Sequence, residues 1–131
     1  MIRVTVTGAD QLTAFAKRIA PGSKPRALEA LAKYFLGNDA RGLRHYPPPR
    51  PSKYVRTYKL KNGWYAGTPE GNSVFVANRN VPYAVYVQGN PPASHMSARG
   101  WRGALDVVES NMKGAIRSAT AAVVAWMKAN V

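Results

Sequence analysis

The chain has no cysteine, two histidines, and six acidic residues against nineteen Lys and Arg. Each shortage closes a class of chemistry. Without cysteine there is no disulfide staple, no thiolate nucleophile and no sulfur ligand. His45, His95 and a few scattered carboxylates supply too few donors for a stable metal site, so neither a metal nor a cofactor is expected. Long apolar runs are also missing. The stretch Ala119 to Met127 is interrupted by Thr120 and stopped by Lys128, short of the roughly 20 apolar residues that cross a bilayer. Met1 to Thr7 alternates apolar and polar residues instead of building the apolar core of a secretory signal, which reads as a folded start. No membrane partner is expected.

Positive charge is what the chain has in excess. A formal net charge of +13 creates a field that favours anionic partners such as nucleic acid or acidic protein surfaces. The plainer reading is that the cations keep a small protein in solution. Their distribution is uneven: no acid lies between Asp39 and Glu70, while Arg41, Arg44, Arg50, Lys53, Arg56, Lys59 and Lys61 accumulate there. A length of 131 residues with 46% apolar side chains suits one domain, 1–131, around one core.

Ile2, Val4 and Val6 share one face of an extended segment and Arg3, Thr5 and Thr7 the other, the period-two pattern of a half-buried strand. Gly8 breaks it, and Asp10 is placed to cap a short helix whose buried face is Leu12, Phe15, Ala16 and Ile19, ending at Pro21-Gly22. Ser23 and Pro25 mark the start of a second helix, with Leu28, Leu31, Ala32, Phe35 and Leu36 as a core stripe, running to about Leu43. Pro47, Pro48, Pro49 and Pro51 lack the amide hydrogens that a helix or central strand needs, so His45 to Ser52 is an extended connector.

Tyr54 to Leu60 has strand composition, and Asn62-Gly63 signals a tight hairpin into Trp64-Tyr65-Ala66. A turn over Gly67 to Asn72, a strand over Ser73 to Ala77, a turn at Asn78-Arg79-Asn80 and a strand over Tyr83 to Val87 complete an antiparallel meander. Trp101, Leu105, Val108, Met112, Ile116, Ala119, Val123 and Trp126 then recur at intervals of three and four, the signature of one long amphipathic helix. Gly114 in its middle predicts a bend or a close approach to another backbone. The expected fold class is α+β: an antiparallel sheet of four to five strands with an extended basic hairpin, packed on two to three helices including a long C-terminal one.

No catalytic constellation accompanies these elements. His45 and His95 are the obvious acid/base candidates by residue type, but neither has a nucleophile or orienting carboxylate in a recognisable pattern, and His95 is read as a loop residue bonded to backbone. Asp106 and Glu109 fall where negative charge complements the start of the last helix. The protein is therefore not expected to be an enzyme. The basic run with Tyr46, Tyr54, Tyr58, Trp64 and Tyr65 suits nucleic acid, because cations neutralise phosphates and rings stack on unpaired bases. Tyr58, Trp64 and Tyr65 equally suit cross-strand packing. Gly89 and Gly100 read as backbone switches at the end of the Tyr83 strand and before Trp101.

Taken in order, the N-terminal strand and helices, Arg56-Thr57-Tyr58-Lys59-Leu60 leading to Gly63-Trp64, the Val81-Pro82-Tyr83-Ala84-Val85-Tyr86-Val87-Gln88-Gly89 segment and the run from His95 to Trp101-Arg102 resemble the tail-completion and minor tail proteins of tailed bacteriophages, similar to the gene product 10 family of the phage HK97. Tyr58 stands where that family commonly has glycine. The resemblance implies a single neck or tail-completion-like domain with no active site: a virion structural protein, assembled in the host cytoplasm, that forms a homo-oligomeric ring joining head to tail. The partners it implies are head connector or portal-adaptor proteins, the tail tube or tail terminator protein, and packaged DNA by non-specific contact. Residues expected to contact neighbouring subunits or DNA in the lumen are Arg50, Lys53, Tyr54, Arg56, Tyr58, Lys59, Lys61, Trp64, Gln88, His95, Trp101 and Arg102. A small basic nucleic-acid-binding protein or toxin-like ribonuclease is the alternative, and a host-factor-binding or chaperone role in tail assembly is a third reading.

Overall fold

Ile2, Val4 and Val6 are buried while Arg3 and Thr5 are exposed, so the N-terminal alternation does form a strand, β1 (Ile2–Val6). In a computed structural model of the chain, the structure describes residues 2–6, 9–37, 42–47, 59–79, 84, 88, 89, 92 and 101–130, with Lys59 described by its backbone alone. Helices α1 (Asp10–Ile19) and α2 (Lys24–Phe35) follow β1. A short helical turn α3 (Lys59–Gly63) leads into strands β2 (Trp64–Ala66) and β3 (Val74–Asn78), and helices α4 (Ala104–Ser110) and α5 (Met112–Ala129) complete the order. The class is α+β. Among the described residues the sheet has three antiparallel strands in the order β1-β3-β2, fewer than the expected four to five.

Helix α2 is central. One side of it, with Leu28, Leu31 and Phe35 buried, packs between the sheet and the pair α1 and α5. Pro25 sits in its first turn, where a missing amide hydrogen costs nothing, and Ser23 precedes it as expected. The Ser23 hydroxyl does not cap the helix. It is buried and donates to the Ala16 carbonyl of α1 at 3.2 Å, tying the two helices together. Asp10 likewise begins α1 without a capping bond from its side chain.

Several expectations require correction. Helix α2 stops at Phe35 instead of continuing to about Leu43, and the chain folds back so that the Leu43 amide donates to the Phe35 carbonyl at 2.8 Å. Leu43 still reaches the core, but from a turn. The Asn62-Gly63 hairpin is absent: these residues close α3, whose Leu60 is buried and whose Leu60 carbonyl accepts from Asn78 Nδ2 at 2.7 Å. Gly63 is glycine for space, since a Cβ there would sit 2.5 Å from Asn78 Oδ1 and 2.8 Å from the Arg79 carbonyl oxygen. Tyr54 to Tyr58 lies outside the described residues. The expected strand over Tyr83 to Val87 is also not formed where it is described, because Ala84 and Gln88 are both helical and both buried. Burial of Ala84 and Gln88 goes with helical backbone at both, and the Tyr and Val residues of the expected strand lie outside the described residues.

The C-terminal amphipathic pattern folds as two helices instead of one. The break is at Asn111, whose side-chain amide donates to the Val107 carbonyl at 2.8 Å, three residues before the expected site at Gly114. Gly114 marks a close approach, though to a side chain and not a backbone: a Cβ there would collide with the Tyr34 hydroxyl of α2.

Candidate functional site

Four of the expected contact residues, Trp64, Gln88, Trp101 and Arg102, meet in one place, the segment from Gly42 to Pro47. Trp64 opens β2 with its ring fully enclosed, and its indole Nε1 lies 3.1 Å from Tyr46 Oη and 3.2 Å from Gln88 Oε1, one N–H facing two acceptors. Gln88 is 2% exposed, and its amide nitrogen donates to the Leu43 carbonyl at 3.1 Å. Arg102 donates to the carbonyls of Gly42 at 3.0 Å and His45 at 3.4 Å. Trp101 packs on Tyr46 with ring centroids 4.8 Å apart at 38°. From inside the segment, the Arg44 guanidinium donates to the Trp64 carbonyl at 2.8 Å.

This arrangement is a knot that fixes an irregular segment to the sheet, and it changes the reading of its members. Trp64 and Gln88 were expected at a subunit or DNA contact, but both are buried within the chain and turned toward the Gly42 to Pro47 segment. Buried polar groups that satisfy one another hold a unique arrangement, and removing one partner strands the others. Trp101 and Arg102 are half-buried and serve the same knot. Arg44 Nε and Asn78 Oδ1 are buried without a hydrogen-bond partner, each at a cost of about 1–3 kcal/mol. Lys61 is half-buried on α3, and Lys59 begins that helix. Arg50, Lys53, Tyr54, Arg56, Tyr58 and His95 lie outside the described residues.

The register defines a second locus. The Gly67 amide donates to the Phe75 carbonyl and the Arg79 amide to the Gly63 carbonyl, so the odd-numbered residues of β3 bond to β2 and its even-numbered residues bond to β1. The backbone groups of Arg3 and Thr5 therefore face outward along the β1 edge. The corresponding outward carbonyl of Trp64 on the β2 edge is taken by Arg44. On the outer face of the sheet, the Arg3 guanidinium lies 3.8 Å from the centre of the Phe75 ring, and that of Arg79 lies 3.8 Å from the Tyr65 ring. The two rings meet edge to face at 6.1 Å and 85°. Arg3, Phe75 and Arg79 were not among the expected site residues. The β1 alternation already put Arg3 outward, but the register that brings it to Phe75 is invisible to a one-dimensional pattern.

Among the described residues, no group of three or more His, Cys, Asp or Glu side chains stands together, and no helix is long and apolar enough to cross a membrane. No family model, curated protein or solved structure matches the chain.

Proposed function

We propose that this chain is a structural subunit of a tailed-phage virion neck, forming a closed homo-oligomeric ring that joins the head connector to the tail in a tail-completion or tail-terminator role. The observation that carries the reading is the open β1 edge, where Arg3 and Thr5 present backbone donors and acceptors with no strand beside them among the described residues. A closed ring needs a surface on each subunit that is complementary to a different surface on its neighbour, and an unpaired edge is a template for a strand from the next subunit. The basic, proline-flanked stretch from Arg50 to Lys59 differs from that edge in composition and is the sequence candidate for the complementary partner. The resemblance to tail-completion proteins supports the same role through Arg56 to Trp64 and Trp101-Arg102. The Tyr83 to Gly89 motif supports it less, since Ala84 and Gln88 are helical.

In this reading the protein resides in the virion, in about six or twelve copies according to the cyclic symmetry of the ring. Its partners are head connector or portal-adaptor proteins and the tail tube or tail terminator protein. Particles lacking it are expected to hold filled heads unjoined to tails, and joined, infectious particles without it would end the proposal. A sharper test is Thr5→Pro, which removes an outward amide from an exposed strand position that tolerates proline. Electron microscopy and sizing of assembled rings are expected to show loss of assembly, while circular dichroism shows an intact fold. Rings that form normally from this variant would exclude the β1 edge as the joint.

A further inference from the structure

We infer that the outer face of the sheet is a binding surface for the phosphate backbone of nucleic acid, gripped without base readout by Arg3 and Arg79. Arg3, Ala77 and Tyr65 form one cross-strand row, and Thr5 and Phe75 lie in the next. The small side chain of Ala77 between two long ones lets Arg3 lean diagonally onto Phe75, while Arg79 reaches back from the end of β3 onto Tyr65. The result is a continuous line, Arg3, Phe75, Tyr65, Arg79, across all three strands.

Both arginines are exposed, and among the described residues neither forms an ion pair. A guanidinium stacked on a ring is held in orientation, yet its N–H groups lie in its own plane and remain free to grip an anion as a fork. A ring face under a guanidinium at 3.8 Å has no room for a base, so these aromatics position the cations and do not serve as a stacking platform. Arg3 reaches the face from the β1 edge and Arg79 from the end of the central strand β3 toward Tyr65 of β2, and a line of regularly repeated phosphates meets both without a specially shaped partner. Thr5 and Thr68, beside Arg3 in a shallow hollow with Ser73, Phe75 and Val74, add hydroxyls of the kind that contact phosphate oxygens. Glu70 lines the same hollow as Arg3, Thr5 and Thr68 and weakens the attraction for a phosphate at that end of the face, where the Arg3 charge opposes it. The net charge of +13 supplies the long-range attraction.

The test is fluorescence anisotropy of the full chain with short labelled duplexes of two unrelated sequences, over a range of salt. Wild-type protein is expected to bind both equally. The double variant Arg3→Gln/Arg79→Gln is expected to bind about tenfold more weakly at low salt, and to lower the slope of log affinity against log salt by about 2, one for each lost phosphate contact. The pair Lys17→Gln/Arg117→Gln removes the same charge from exposed positions on α1 and α5, and is expected to change affinity less than twofold. Arg3→Lys/Arg79→Lys guards against misfolding, since it keeps the charge while losing the stacked fork, and is expected to bind more weakly than wild type. Equal losses from the sheet and helix pairs would overturn the inference, as would full affinity in the lysine variant. Absence of wild-type binding, a strong preference between the duplexes, or equally effective competition by polyglutamate would do the same. Because binding is read on the isolated chain, its failure leaves the ring proposal standing, and loss of rings in Thr5→Pro leaves the binding surface standing.

Discussion

The two faces of the sheet are built from the same three strands, one residue out of step, and they do opposite work. The inner face carries Ile2, Val4, Val6, Trp64, Val74 and Val76, all buried, and joins α2 and the Gly42 to Pro47 segment into one core. The outer face carries Arg3, Thr5, Tyr65 and Phe75, exposed or half-buried, with cations laid on rings. Apolar area removed from water stabilises at about 25 cal/mol per Å², so the inner face holds the fold. Cation–ring contacts at exposed positions contribute only about 0.5–1 kcal/mol, too little to explain the outer face by stability alone. The difference separates what the chain needs to fold from what it leaves exposed.

The largest test of that separation is Trp64→Ala. The indole is enclosed on all sides and its N–H faces both Tyr46 and Gln88, so truncation leaves a cavity and two acceptors without their donor. A loss of about 3–5 kcal/mol is expected, measured as a lower urea midpoint at unchanged slope. A loss under about 1 kcal/mol would mean that the knot is not part of the folding core and would dissolve the distinction between the faces. Gln88→Leu is the next step down. It preserves bulk while leaving the Leu43 carbonyl without its donor and the Trp64 N–H with Tyr46 alone, for an expected loss of about 1–3 kcal/mol by the same measurement. A stabilised Gln88→Leu protein would show that the inner face is held by packing only.

What the sequence made legible follows the same division. The elements whose hydrophobic period is local and long, β1, α1 and α2, were readable because burial of one face dictated the spacing of Ile2, Val4, Val6 and of Leu28, Leu31, Phe35. The β2–β3 turn was readable from its Gly-rich composition. The middle of the chain was not. Tyr83 to Val87 alternates like a strand, but Ala84 and Gln88 are helical, and the contacts of Gln88 with Leu43 and Trp64 are distant in sequence. Asn62-Gly63 carries hairpin chemistry, yet Gly63 is required by the approach of Asn78 and Arg79. The candidate site split likewise. Trp64 and Gln88 stood out for residue type and proved to be internal, whereas Arg3 and Arg79 are ordinary in sequence and become a surface only through strand register.

The smallest expected effect sharpens the comparison from the other side. Single replacements Arg3→Gln and Arg79→Gln each remove a cation–ring contact from an exposed position, and each also relieves repulsion in a chain of net charge +13, so the two terms oppose one another. Net changes within about 0.5 kcal/mol are expected in thermal or urea unfolding, shifting slightly with salt because the repulsive term is screened and the contact is less so. The contact itself is isolated by a double-mutant cycle of Arg3→Gln with Phe75→Leu, where a coupling of about 0.5–1 kcal/mol is expected. A coupling near zero would mean that the guanidinium is not held on the ring. The outer face would then be solvated charge without a fixed fork, and any nucleic-acid affinity of the chain would belong to its overall field instead of to this surface.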